Sequence, residues 1–298
     1  MAASTFMLTA DDGTELFVRC WLPDSEATGS VQIAHGMGEH SARYDRLAQA
    51  LTDHGWAVYA NDHRGHGHTA LGAAGDGPEA ALGDLGPGGW DALVGDLALL
   101  DAHIAAEQPG RIRVLLGHSM GSFAAQQHVL DHSRELGAVV LSGSTAVDVA
   151  VTVLDPDAGT DLAALNAAFQ PARTDYDWLS RDEVEVDRYV ADRLCGFGLD
   201  PESTRSLIAA AARLGDAEAL AGIRPDLPVY VVAGSADPLN LELSLLELVV
   251  QRYRDAGLVE VTTDFHQGAR HEVFNETNRD EVTAHLVVWL DRVRAATA

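Results

Sequence analysis

The chain contains no lysine; all 20 of its basic residues are arginine. That absence removes whole chemistries: Schiff-base catalysis, a pyridoxal phosphate anchor and the G-x-x-x-x-G-K-[ST] phosphate loop all require a lysine amine. Cysteine is nearly absent as well. Cys20 and Cys195 are far apart and lack metal-ligand spacing, so they read as ordinary thiols rather than a disulfide framework or a metal site. No run approaches the roughly 18 apolar residues that span a bilayer. The opening Met1-Ala2-Ala3-Ser4-Thr5-Phe6 has no basic segment ahead of an apolar one. A cytoplasmic protein without stable membrane insertion is the expectation. Positive charge is scarce too: 45 acidic residues leave a formal net charge of -25. Such a surface repels nucleic acid and anionic lipid, and favours a small neutral molecule as partner.

What the chain does have is 47% hydrophobic residues over 298 positions, enough for one large α/β domain. Phe6, Leu8, the turn Asp11-Asp12-Gly13, then Leu16, Val18 and Cys20 predict a β-hairpin. Strands are expected at 31–34, 56–60, 111–116, 137–142, 228–233 and 259–265. Helices are expected from Ser41 to Gly55, Trp90 to Glu107, Met120 to Leu130, Leu241 to Tyr253 and Asn278 to Arg294. The alternation of strand and helix implies a mostly parallel central sheet flanked by helices. Glycine and proline mark 72–89 as surface loop. Between about Val147 and Gly222 the strand series stops. Only helical patterns occur there, such as Leu162-Leu165-Phe169 and Leu207-Ala211-Leu214, with breaks at Pro156, Pro171 and Pro201. The strands then resume. The expected organisation is therefore a core of residues 1–146 and 223–298 interrupted by a helical cap, or lid, at 147–222.

The chemistry gathers around Val114-Leu115-Leu116-Gly117-His118-Ser119-Met120-Gly121. A G-x-S-x-G turn between a buried strand and a helix holds its serine in a strained conformation, with the hydroxyl raised above the sheet edge. Side chains at 117 or 121 would crowd so tight a turn. A serine hydroxyl needs a base within hydrogen-bond reach and a carboxylate to orient that base. In sheets of this kind the partners follow in the order Ser, acid, His, on loops at the carboxyl ends of strands. Asp237, just after the strand ending at Ala233, and His271, just after the strand ending at Phe265, meet both conditions among the thirteen histidines. Met120 supplies one oxyanion N–H, and Met37 in His35-Gly36-Met37-Gly38 is placed to supply the other. Gly36, His35, Glu39 and His118 stand beside them as supporting or substrate-binding residues. Glu39 and Glu272 either orient the oxyanion loop and His271 or are solvated. His63, His66 and His68 have intervening residues unsuited to a metal and read as a loop wall.

Together, His35-Gly36-Met37-Gly38-Glu39-His40 with Arg43-Tyr44, Asp62-His63-Arg64-Gly65-His66-Gly67, the Ser119 turn and His271-Glu272-Val273-Phe274-Asn275-Glu276 resemble the monoacylglycerol lipase and lysophospholipase-like, S33-type branch of the α/β-hydrolases. The resemblance covers nearly the whole chain outside 147–222. It departs at Ser122, where a third glycine is common, and throughout the alanine-rich, acidic cap. It implies an α/β-hydrolase fold and a cofactor-free serine ester hydrolase with an apolar acyl pocket under the cap, acting on a single-chain ester. A general carboxylesterase, including one for aromatic esters, is the neighbouring alternative. A peptidase, a hydrolase of C–C bonds and a binding protein without turnover are further ones, separable by a substrate panel, by product analysis and by serine labelling.

Overall fold

The computed structural model describes residues 3–73 and 81–297. Eight strands form one sheet in the order β1-β2-β4-β3-β5-β6-β7-β8. They are β1 Ser4–Thr9, β2 Glu15–Trp21, β3 Gly29–Ala34, β4 Trp56–Asn61, β5 Ile112–His118, β6 Ala138–Ser142, β7 Val229–Gly234 and β8 Val261–His266. β2 runs antiparallel to both neighbours, and every pairing from β4 to β8 is parallel. The helices are α1 Asp45–Asp53, α2 Gly67–Ala73, α3 Gly89–Glu107, α4 Met120–His132, α5 Val147–Ala150, α6 Glu183–Ala191, α7 Pro201–Ala211, α8 Ala217–Ala221, α9 Ser244–Asp255 and α10 Arg279–Thr297.

β5 lies near the middle, and its pleat feeds both layers of the core. Leu115 belongs to the cluster under α3, α4 and α9, while Val114 and Leu116 belong to the cluster shared with α1 and α10. A central strand buried on both faces is a continuous apolar run, which is why Val114-Leu115-Leu116 shows no alternation. The parallel strands end together at one edge, and their C-terminal turns build the site.

Three local expectations are corrected. The stretch read as loop from Gly72 begins inside α2, Leu85 is fully buried, and 74–80 lie outside the described residues. The helix expected from Leu241 starts at Ser244, because Leu241, Glu242 and Leu243 all have left-handed φ, at 48°, 56° and 72°. The buried Asn240 side chain holds that turn, donating to the Gly234 carbonyl at 3.1 Å and accepting from the Leu243 N–H at 2.9 Å. α6 falls within the span expected to be helical although Glu183-Val184-Glu185-Val186 carries no helical spacing; the Asp182 side chain starts the helix by accepting the Val184 N–H. Pro201 opens α7 instead of breaking it, since a proline at the first helical position sacrifices an N–H that has no intrahelical acceptor. No helix among the described residues is long and apolar enough to cross a membrane.

Candidate active site

Ser119 links β5 to α4 with φ 51° and ψ -123°, a region a residue bearing a Cβ seldom enters. Packing enforces the bend. A Cβ on Gly121 would lie 2.0 Å from the Ala34 carbonyl oxygen, and one on Gly117 would lie 2.4 Å from the Gly121 carbonyl oxygen. The Ser119 N–H donates to the Ser142 carbonyl at 2.9 Å, which ties the turn to the end of β6. Ser122, in place of a glycine, adds a further tie: its hydroxyl oxygen is 2.6 Å from the Ser119 carbonyl oxygen and 2.8 Å from Ser144 Oγ.

Asp237 follows β7. Its Oδ1 accepts the Leu239 N–H and shapes the turn, while its Oδ2 lies 2.8 Å from His271 Nδ1. The loops carrying the two residues are paired through their backbones, with Ser235 N–H donating to His266 and Ala236 N–H to Ala269. Both side chains are buried. Burial pushes the His271 imidazole down, but the charge of Asp237 and its hydrogen bond outweigh this and raise the pKa above the ordinary histidine value. With Nδ1–H given to Asp237, Nε2 is left to accept a proton. His271 and Ser119 line the same cavity, and both abut the end of β6: Ser142 receives the Ser119 N–H, and a Cβ on Gly143 would lie 2.9 Å from His271 Cε1. His118 packs on His271 with ring centroids 4.8 Å apart; burial, then the charge of His271, push it down to about 4.

The loop after β3 faces this pair. A Cβ on Gly36 would lie 3.1 Å from Ser119 Cβ, so the backbone at 36–37 passes directly beside the serine. His35 is fully buried and accepts the His63 N–H through Nε2 at 2.9 Å, so its Nδ1–H donates to the Gly36 carbonyl at 2.8 Å. Glu39 accepts the Gly36 N–H at 2.6 Å and the Tyr44 hydroxyl at 2.7 Å. Arg43 bridges Glu39 at 2.7 Å and Glu272, the neighbour of His271, at 2.8 Å. Burial raises the Glu39 carboxyl, yet Arg43 and the other donors hold it at about 2. Glu39 and Glu272 are thus buried, paired supports and are not solvated. The Met120 N–H, first in its helix, has no intrahelical acceptor and opens beside Ser119. His63 and His66 are not a loop wall. Both are fully buried against His35, at ring separations of 4.2 and 5.3 Å, because packing of three imidazoles fills the space under the Gly36 loop; only His68 is exposed.

Residues 147–222 complete the enclosure. The Gly196 N–H donates to Gly38, the Thr160 hydroxyl reaches Met37 Sδ at 3.0 Å, and His40 meets Asp192 at 2.9 Å. The Trp178 ring packs 4.8 Å from His271. Beneath them lies a cavity of about 870 Å³ including its open mouth. Val147, Val151, Leu154, Leu162, Leu165 and Leu207 form apolar walls, and Ser119, His118 and His271 a polar corner. Gly143 and Trp178 escaped the reading of the sequence. The glycine after the β6 run was the one local signal; nothing local marks Trp178.

The family model for serine aminopeptidase S33 matches residues 25–278. A monoacylglycerol lipase of Mycolicibacterium smegmatis is 32% identical over 281 residues, covering 93% of each chain. The monoglyceride lipase of Mus musculus is 29% identical over 300 residues, covering 96% of this chain and 90% of its own. Among solved structures, a thermostable carboxyl esterase of Bacillus coagulans in complex with glycerol superposes with a TM-score of 0.86 at 24% identity, over 99% of both chains. A soluble variant of the Saccharomyces cerevisiae monoglyceride lipase, in complex with a substrate analogue, gives 0.73 at 20% identity, over 98% of this chain and 95% of its own.

Proposed function

Because this chain belongs to the serine aminopeptidase S33 family of α/β-hydrolases and is a carboxylic ester hydrolase, we propose that it cleaves a monoacylglycerol, lysophospholipid or similar single-chain ester at Ser119. In this reading 1–146 and 223–298 are the catalytic core and 147–222 the cap that encloses the acyl chain. The observation that carries it is the cavity: apolar walls supplied largely by 147–222, converging on Ser119 and His271. A single acyl chain fits such walls, each buried methylene contributing about 0.8 kcal/mol, and the ester carbonyl then lies at the polar corner.

His271 Nε2 removes the Ser119 proton as Oγ attacks the carbonyl carbon. The Met37 and Met120 N–H groups take the developing oxyanion. Asp237 fixes the imidazole tautomer and stabilises its protonated form. The tetrahedral intermediate collapses, His271 gives its proton to the departing alcohol, and an acyl-Ser119 ester remains. Water, deprotonated by the same imidazole, releases the fatty acid and restores the serine. Glu39 acts through the Gly36 N–H, holding the loop that presents Met37.

The test is a panel of monoacylglycerols of increasing chain length, an aryl ester and an aminoacyl amide, run on the purified protein. The expected result is kcat/KM rising with each added methylene, by up to about fourfold, until the cavity is filled. Rates independent of chain length, with the amide or the aryl ester preferred, would refute the assignment.

A further inference from the structure

At the far edge of the sheet, away from the cavity, β8 presents Asp264 and His266 two residues apart on one face, and α10 lays His285 over them. His266 Nε2 is 3.1 Å from Asp264 Oδ2, and His285 Nδ1 is 3.0 Å from the same oxygen. The three donor atoms all lie within 4.8 Å of one another. We propose that Asp264, His266 and His285 form a binding site for a zinc-like divalent cation, one that clamps the edge strand β8 to the C-terminal helix α10.

Two imidazoles and one carboxylate are the donor set of a borderline cation, not of magnesium or calcium, which take oxygen. Tetrahedral zinc with bonds near 2.0–2.1 Å holds its ligand atoms about 3.3 Å apart, close to the two nitrogen–oxygen separations here. Outer partners stand behind two of the three ligands. The Tyr230 hydroxyl donates to Asp264 Oδ2 at 2.6 Å, and Asn278 Nδ2 lies 3.3 Å from His266 Nδ1. Such second partners fix ligand orientation in built metal sites. His266 is buried while the His285 side chain is 50% exposed, so a cation has an entry path and solvent can supply the remaining ligand. The net charge of -25 raises the local cation concentration.

Binding has a defined proton balance. The cation takes unprotonated Nε2 of His266 and Nδ1 of His285, so His266 carries its proton on Nδ1, facing Asn278. The Asn278 amide then turns its oxygen to that proton and gives up two bonds, the 3.1 Å one it accepts from Arg181 and the 3.2 Å one it donates to Glu281 Oε2. The consequence reaches the catalytic edge. The His266 carbonyl accepts the N–H groups of Ser235 and Ala269, one on each of the loops that carry Asp237 and His271. No local motif advertises the site, since His285 lies 21 residues beyond Asp264.

The test uses the full chain treated with chelator, then titrated with zinc chloride by calorimetry and by thermal unfolding, with magnesium chloride as the parallel arm. One zinc per chain with a higher Tm, and no response to magnesium, is expected. His285→Ala, at a half-exposed position that folding tolerates, is expected to weaken binding about 100-fold. Asn278→Asp, which sets a carboxylate behind His266, is expected to tighten it about tenfold. Absence of stoichiometric zinc binding, or equal affinity in wild type and His285→Ala, would overturn the proposal and place any bound zinc on other histidines.

Discussion

From Ile112 to His132 the chain makes a strand, a turn and a helix, and the turn is hemmed in by backbone atoms: the Ala34 carbonyl against Gly121, the Gly121 carbonyl against Gly117, the Ser142 carbonyl on the Ser119 N–H. Residues 147–222, directly above, are short helices and 3-10 turns, four of them started by Asp161, Asp182, Asp200 and Asp216. Side chains fasten much of that segment to the rest: Thr160 to Met37, Asp192 to His40, Arg181 to Glu276, Arg252 to Asp148. The lower region tolerates almost no change of volume, because backbone cannot retreat. The upper one keeps a few backbone ties, with the Gly196 N–H on Gly38 and the His271 and Glu272 N–H groups on Trp178 and Leu179, but much of the rest is hydroxyls and ion pairs that can be exchanged one at a time. A fixed turn beneath an exchangeable wall separates what packing holds constant from what can vary.

The comparison is broken most severely at its seam. Arg43 joins Glu39 to Glu272 and lies over the Tyr189 ring of the upper segment, 4.8 Å from its centroid. Arg43→Met strands two buried carboxylates, and a loss of about 3–5 kcal/mol is expected in urea unfolding. Gly121→Ala is next. Its methyl must displace the Ala34 carbonyl, costing about 1–3 kcal/mol, and ester hydrolysis should fall further than that loss of stability explains, because Ser119 and the Met120 N–H move with the turn. Smallest is Thr160→Val in the upper segment, which orphans the Leu199 N–H now bonded to the Thr160 hydroxyl at 2.6 Å. A cost of about 1 kcal/mol and a rise of a few fold in KM with little change in kcat are expected, measured by steady-state kinetics on a long-chain monoacylglycerol. If Thr160→Val lowered kcat as strongly as Gly121→Ala, the two regions would not be separable in this way.

The same contrast explains what could be read from residue order. The strand, turn and helix at Ser119 declare themselves within eleven residues, since periodicity, two glycines and an uninterrupted helical run lie side by side. That Asp237 and His271 come together, 2.8 Å apart, was legible from position alone, each lying just past a strand end. By comparison, α6 begins on an alternating Glu-Val pattern, and only the cap by Asp182 and the burial of Val186 and Tyr189 against distant residues select the helix. The left-handed turn at Leu241 depends on the contact from Asn240 to Gly234, and the burial of His63 and His66 on their stacking with His35. Such features are settled by partners remote in the chain.

The most direct test of the account is the pH dependence of Ser119 labelling by a fluorophosphonate, with the modified residue located by mass spectrometry. His271 must be neutral to take the serine proton. Because its folded-state pKa is raised above the ordinary value of 6.5, labelling should decline as pH falls through a midpoint above 6.5. That limb, a single label on Ser119 and its loss in His271→Ala are the expected results. Labelling at another residue, or at an undiminished rate below pH 6 or without His271, would contradict it.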